Sequence, residues 1–65
     1  MNRLKQFRKE HGLSQEELAE KSGVSRVTIS KLESGELSVS KTTTLIQIAD
    51  ALGESVTAIF FADNV

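Results

Sequence analysis

Apolar positions along the 65-residue chain recur at three- and four-residue intervals, and no segment alternates convincingly with a period of two. This spacing predicts helices, and small polar residues and glycines mark out five of them. The first runs from about Asn2 to His11, with Leu4 and Phe7 on one face and Gly12 as its left-handed stop. The second begins at "SQEE", where Ser14 and Glu17 have the spacing of a capping box. It turns Leu18 and Ala19 inward and closes at Gly23. A third starts at Ser25 and ends near Ser34, before Gly35. The fourth starts near Ser40 and carries Leu45, Ile48, Ala49 and Leu52 as one buried stripe. The last, Ser55 to about Phe61, repeats the inward pattern with Val56, Ile59 and Phe60. No linker long enough to separate domains, no internal repeat and no low-complexity stretch interrupts the series, so residues 1–65 read as one all-α domain.

The third segment differs from the rest in what it leaves outside. At about 100° per residue, Thr28, Ile29 and Leu32 gather on one side. Arg26, Val27, Ser30, Lys31 and Ser34 fall within roughly 140° of each other on the opposite side. That outer face offers two cations, hydroxyls and one β-branched apolar residue, and it has no acid. A plainly solvated face usually mixes both signs. A duplex groove presents what these residues bind: phosphate or guanine for arginine and lysine, either polarity for serine, a thymine methyl for valine. The connection "SGVS" before it is a tight turn, in which Val24 plugs the angle between two helices and the small Ala19 lets them approach.

Composition narrows the alternatives. A chain of this length buries only about 60% of the surface its unfolded form exposes, and with no cysteine it has neither disulfides nor thiolate metal sites to brace the core. No apolar run approaches the ~20 residues of a membrane span, and the start "MNRLKQFRKEHG" lacks the apolar stretch of a signal peptide, so the chain reads as cytoplasmic. The formal charge of −1 conceals an asymmetry: residues 1–31 carry seven cations against four acids, residues 32–65 one against five. A polyanion can meet one side while the other repels it; equally, both halves can simply be solvated. His11, the sole histidine, sits where it caps the end of the first helix, and no serine has a base and an orienting acid assigned to it. With too few ligands for a metal and no glycine-rich phosphate loop, neither an enzyme nor a cofactor site is expected.

The stretch "LSQEELAEKSGVSRVTISKLESG" resembles the helix-turn-helix of the Xre/Cro type, the lambda-repressor-like DNA-binding domain. Gln15, Ala19, Gly23, Val24, Ile29 and Leu32 stand where that motif has a polar first residue, a small residue, glycine and three apolar residues. The similarity continues through "LIQIADALG" and the short last helix. It implies a five-helix domain whose third helix, about 26–34, lies in the major groove, while the start of the second, about 15–22, meets the phosphate backbone. Gln15 would bond a phosphate and brace the first residues of the third helix, and Ser25 would lie near another phosphate at its N-terminus. Arg26, Val27, Ser30 and Lys31 would face base edges. Arg8 and Glu33 look like the family's paired arginine and glutamate, a structural lock between the first helix and the third.

Three features depart from the pattern: Ser22 stands at a site often apolar, Thr42 where a leucine-like residue is usual, and the "GELSVS" loop lacks proline and offers Glu36 instead of a cation. A single helix reads few base pairs, so a homodimer on a palindromic operator, acting as a repressor without a small-molecule ligand, is the expected form. Phe61, surplus to the core stripe, either forms a two-fold contact with Ala58 and Val65 or caps the open end of the core. The competing function is an antitoxin-like or other protein-interaction module on the same fold.

Overall fold

Hydroxyl caps explain where three of the five helices begin. A computed structural model describes residues 2–36 and 41–61, and among these it contains α1 (Leu4–Glu10), α2 (Gln15–Ser22), α3 (Arg26–Ser34), α4 (Thr42–Leu52) and α5 (Val56–Phe60) and no strand. Ser14, Ser25 and Ser55 each sit in extended backbone, and each Oγ accepts the N–H of the third helical residue, satisfying a donor that the helix start leaves open. At α2 the exchange is reciprocal. The Glu17 N–H donates to Ser14 Oγ at 3.0 Å, and the Ser14 N–H donates to Glu17 Oε1 at 2.8 Å.

α1 begins two residues later than the spacing predicts, because Asn2 is occupied as a tie and not as a helical residue. Its Oδ1 accepts the Leu4 N–H at 3.0 Å, and its Nδ2 donates to the Leu32 carbonyl at 2.9 Å. The Arg3 N–H donates to the Ile59 carbonyl at 2.7 Å. The chain start is thus stitched to both α3 and α5. At the other end His11 Nδ1 donates to the Phe7 carbonyl at 2.8 Å, the capping role expected of it. For α4 the expected start at Ser40 lies outside the described residues; the helix opens on Lys41 without a side-chain cap.

The inward stripes meet in one core of Leu4, Leu18, Val24, Ile29, Leu32, Leu45, Ile48, Ala49, Leu52, Ile59 and Phe60, with Phe7, Ala19 and Val56 packed half-buried at its margin. α2 packs on α3 and α4, α1 on α3 and α5, and α4 on α5. Two large core residues of α3, Ile29 and Leu32, are fully buried and hold that helix from behind. The α2–α3 turn is built from Gly23 at φ 75°, a left-handed conformation that costs a residue with a Cβ about 1–2 kcal/mol, and from buried Val24. Ser22 is buried in the same turn, 8% exposed, and its Oγ accepts the Val24 N–H at 3.2 Å. A hydroxyl is tolerated at this otherwise apolar site because it satisfies that buried donor.

Candidate nucleic-acid interface

α3 exposes Arg26, Val27, Lys31 and Ser34, and buries Ile29 and Leu32. Val27 is 57% exposed, high for a β-branched apolar side chain on a helix that has a core to face. Ser30 is half-buried, at the border of the exposed face and not in its centre, because α1 approaches on that side. Thr28 is also half-buried. Its Oγ1 accepts from the Ser25 hydroxyl at 2.9 Å while its N–H donates to Ser25 Oγ at 3.2 Å. Ser25 therefore has its hydroxyl proton and one lone pair committed to capping α3.

The acid of α3 is removed from this face by its partners. Glu33 accepts from Arg8 Nε at 2.6 Å (Oε2) and from Arg8 Nη2 at 3.1 Å (Oε1), a two-pronged pair whose side chains are 10% exposed for the arginine and 5% for the glutamate. Arg8 Nη1 donates to the Leu13 carbonyl at 2.7 Å, so one guanidinium holds α1, the α1–α2 turn and α3 together. Hydrogen bonding to Glu33 raises the Arg8 pKa above its ordinary value against the opposing effect of burial, with the glutamate's charge adding to it. Arg8 stays charged wherever the protein is folded.

Gln15 belongs to the same cluster. Its Nε2 donates to Glu33 Oε1 at 3.1 Å, so it braces the end of α3, whereas its expected bracing partner was the start of that helix. Gln15 is the first residue of α2, and from there its side chain meets the last turn of α3, where Glu33 lies. What results is an outward face bearing cations, a valine and a serine, behind which the negative charge of Glu33 is neutralised.

At the C-terminal end of α5 Phe61 is 50% exposed, and Ala58 within that helix is half-buried. Val65 lies outside the described residues. Among the described residues no helix is long and apolar enough to cross a membrane.

An outward helix held from behind by two buried aliphatic residues and joined to its predecessor by a glycine turn defines a helix-turn-helix. The family model described as helix-turn-helix matches residues 4–59, and the chain belongs to that family, in its Xre/Cro, lambda-repressor-like form. This is a family of DNA-binding regulators and not of enzymes. A relative from Methanothermobacter thermautotrophicus (strain Delta H), described as an uncharacterized HTH-type transcriptional regulator, is 49% identical over 65 residues, spanning 94% of this chain and 88% of that protein. No solved structure matches the chain.

Proposed function

We propose that this protein is a sequence-specific, double-stranded DNA-binding transcriptional regulator that acts in the cytoplasm as a repressor, as a homodimer on a palindromic operator. The observation that carries this reading is the composition of the exposed face of α3: Arg26, Val27, Lys31 and Ser34 lie outside while Glu33 is turned away and paired. With α3 in the major groove, Arg26 and Lys31 address guanine or phosphate, Val27 meets a thymine methyl, and Ser30 at the margin bonds donor or acceptor. Gln15, at the start of α2, and Ser25, at the start of α3, lie at the two helix ends that approach the backbone in a helix-turn-helix. The regulator named in Methanothermobacter is in keeping with this reading.

Phe61 is the centre of the dimer proposal. A phenyl ring half-exposed at the end of a short helix, with Ala58 one turn earlier, gives a contact that two copies can share about a two-fold axis. The two copies of α3 then lie about 34 Å apart, one turn of the duplex. Selection of bound duplexes from a random pool tests the proposal directly. An inverted repeat with that spacing is the expected product. Recovery of no preferred sequence at any salt concentration would remove the regulator reading, and a monomer at tens of micromolar with Phe61→Ala unchanged in affinity would remove the dimer.

A further inference from the structure

Two consecutive residues ahead of α1 tie α3, the helix offered to DNA, to α5, the helix that ends beside Phe61. Leu32 is among the last four residues of α3, whose carbonyls have no donor within the helix. Glu36, four residues on, does not supply one, because its N–H donates to Ser34 Oγ at 3.4 Å. The donor comes from 30 residues away: Asn2 Nδ2 reaches the Leu32 carbonyl at 2.9 Å. Asn2 is half-buried, and the other end of its carboxamide is committed too, with Oδ1 accepting the Leu4 N–H at 3.0 Å where α1 begins. One flat side chain, held at both ends, therefore fixes the end of α3 against the start of α1. The next residue makes the tie toward α5, the Arg3 N–H donating to the Ile59 carbonyl at 2.7 Å.

The two ties end next to the residues on which reading and pairing depend. Leu32 follows Lys31 on α3, and Ile59 follows Ala58 on α5, two residues before the half-exposed Phe61. α1 packs on both helices, and the Cα atoms of Asn2 and Arg3 are held about 3.8 Å apart by the peptide bond, so the path from one tie to the other is short and stiff. We infer that Asn2 is a positioning residue for DNA recognition: it fixes the end of α3 relative to the contact around Phe61, and thereby sets how strictly a dimer distinguishes the spacing of two half-sites. The inference rests on the proposal of a homodimer that reads through α3. Asn2 acts in this role through α3 and not by touching DNA. Spacing is the property sensitive to it, because one added base pair shifts a half-site by about 3.4 Å and by about a tenth of a turn. A loosely held α3 follows that shift, and a fixed one does not.

The test titrates the full chain, Asn2→Asp, Asn2→Ser and Ile48→Val with three kinds of duplex: the selected operator, the same operator with one base pair added or removed between its half-sites, and a single half-site. Asn2→Asp keeps an oxygen for the Leu4 N–H and has no donor for Leu32, while the serine hydroxyl of Asn2→Ser is too short to span both bonds. Ile48→Val trims the buried core on α4, which carries neither tie, and controls for loss of stability alone. Thermal melting of each variant checks that the fold is kept. One neutral hydrogen bond is worth about two- to tenfold in an equilibrium constant, and the preference for the selected spacing over its neighbours is expected to fall by that factor in both Asn2 variants. Their affinity for the single half-site should be unchanged, and Ile48→Val should keep the full preference. An unchanged preference in the Asn2 variants, or an equal fall in Ile48→Val at a comparable melting temperature, overturns the inference and leaves the regulator and dimer readings intact. A loss on the single half-site as large as that on the operator also overturns it, since the tie then acts within one copy alone. Absence of any spacing preference in the unaltered chain overturns the dimer reading together with the inference.

Discussion

Removing the Arg8 guanidinium should nearly unfold this domain, and removing its partner as well should largely restore it. In Arg8→Met the Glu33 carboxylate, 5% exposed, keeps only the Gln15 amide, and the Leu13 carbonyl loses its donor. Breaking one side of a buried pair costs about 3–5 kcal/mol, mostly because the other charge is left stranded. A chain of 65 residues has of order 3–10 kcal/mol of stability in total. The single variant therefore sits close to its unfolding midpoint in plain buffer. Adding Glu33→Leu takes the stranded charge away, and Arg8→Met/Glu33→Leu should return to within about 1–2 kcal/mol of the unaltered protein. The second substitution thus recovers about 2–3 kcal/mol of what the first one loses. The chain has no tryptophan or tyrosine, so urea unfolding is best followed by far-ultraviolet circular dichroism. Sulfate can raise all variants equally should the single one be unfolded at zero urea. With a urea slope of about 1 kcal/mol per M, the single variant's midpoint falls by about 3 M or more. An Arg8→Met cost under about 1 kcal/mol, or a double variant no more stable than the single one, would refute the view that this pair is shielded from water.

The remaining expectations concern α3 itself. Arg26→Ala or Lys31→Ala should lose about 1–3 kcal/mol on the selected operator if the residue reads a base, measured against scrambled duplex; an equal loss on both assigns it to phosphate. Replacing the thymine opposite Val27 by uracil should weaken binding in a fluorescence titration, and unchanged affinity would exclude the methyl contact. Ser25→Ala removes the cap of α3 and should cost about 1 kcal/mol in urea unfolding, with Ser25→Gly costing less.

The apolar pattern and the caps of this chain were legible because both act between residues three or four apart. Leu45, Ile48, Ala49 and Leu52 line one stripe whatever lies beyond them, and Ser14, Ser25 and Ser55 reach donors in their own first turns. The outward placement of Arg26, Val27 and Lys31 follows from the same periodicity, since Ile29 and Leu32 leave them no inward side. The Arg8–Glu33 pair was implied by resemblance and not by spacing, as 25 residues separate its members.

Tertiary packing alone decided the rest. Asn2 bonds a carbonyl 30 residues away and Gln15 a carboxylate 18 residues away, and neither separation leaves a trace in local periodicity. The approach of α1 half-buries Ser30 and places Lys5 beside it, making a groove from residues of three helices. Sequence by itself thus determined which helices form and which side each turns inward, because those preferences are set within a turn or two of the chain. The structure determined where the charge of Glu33 goes and which polar groups converge, because a side chain's long-range partner depends on how the helices cross.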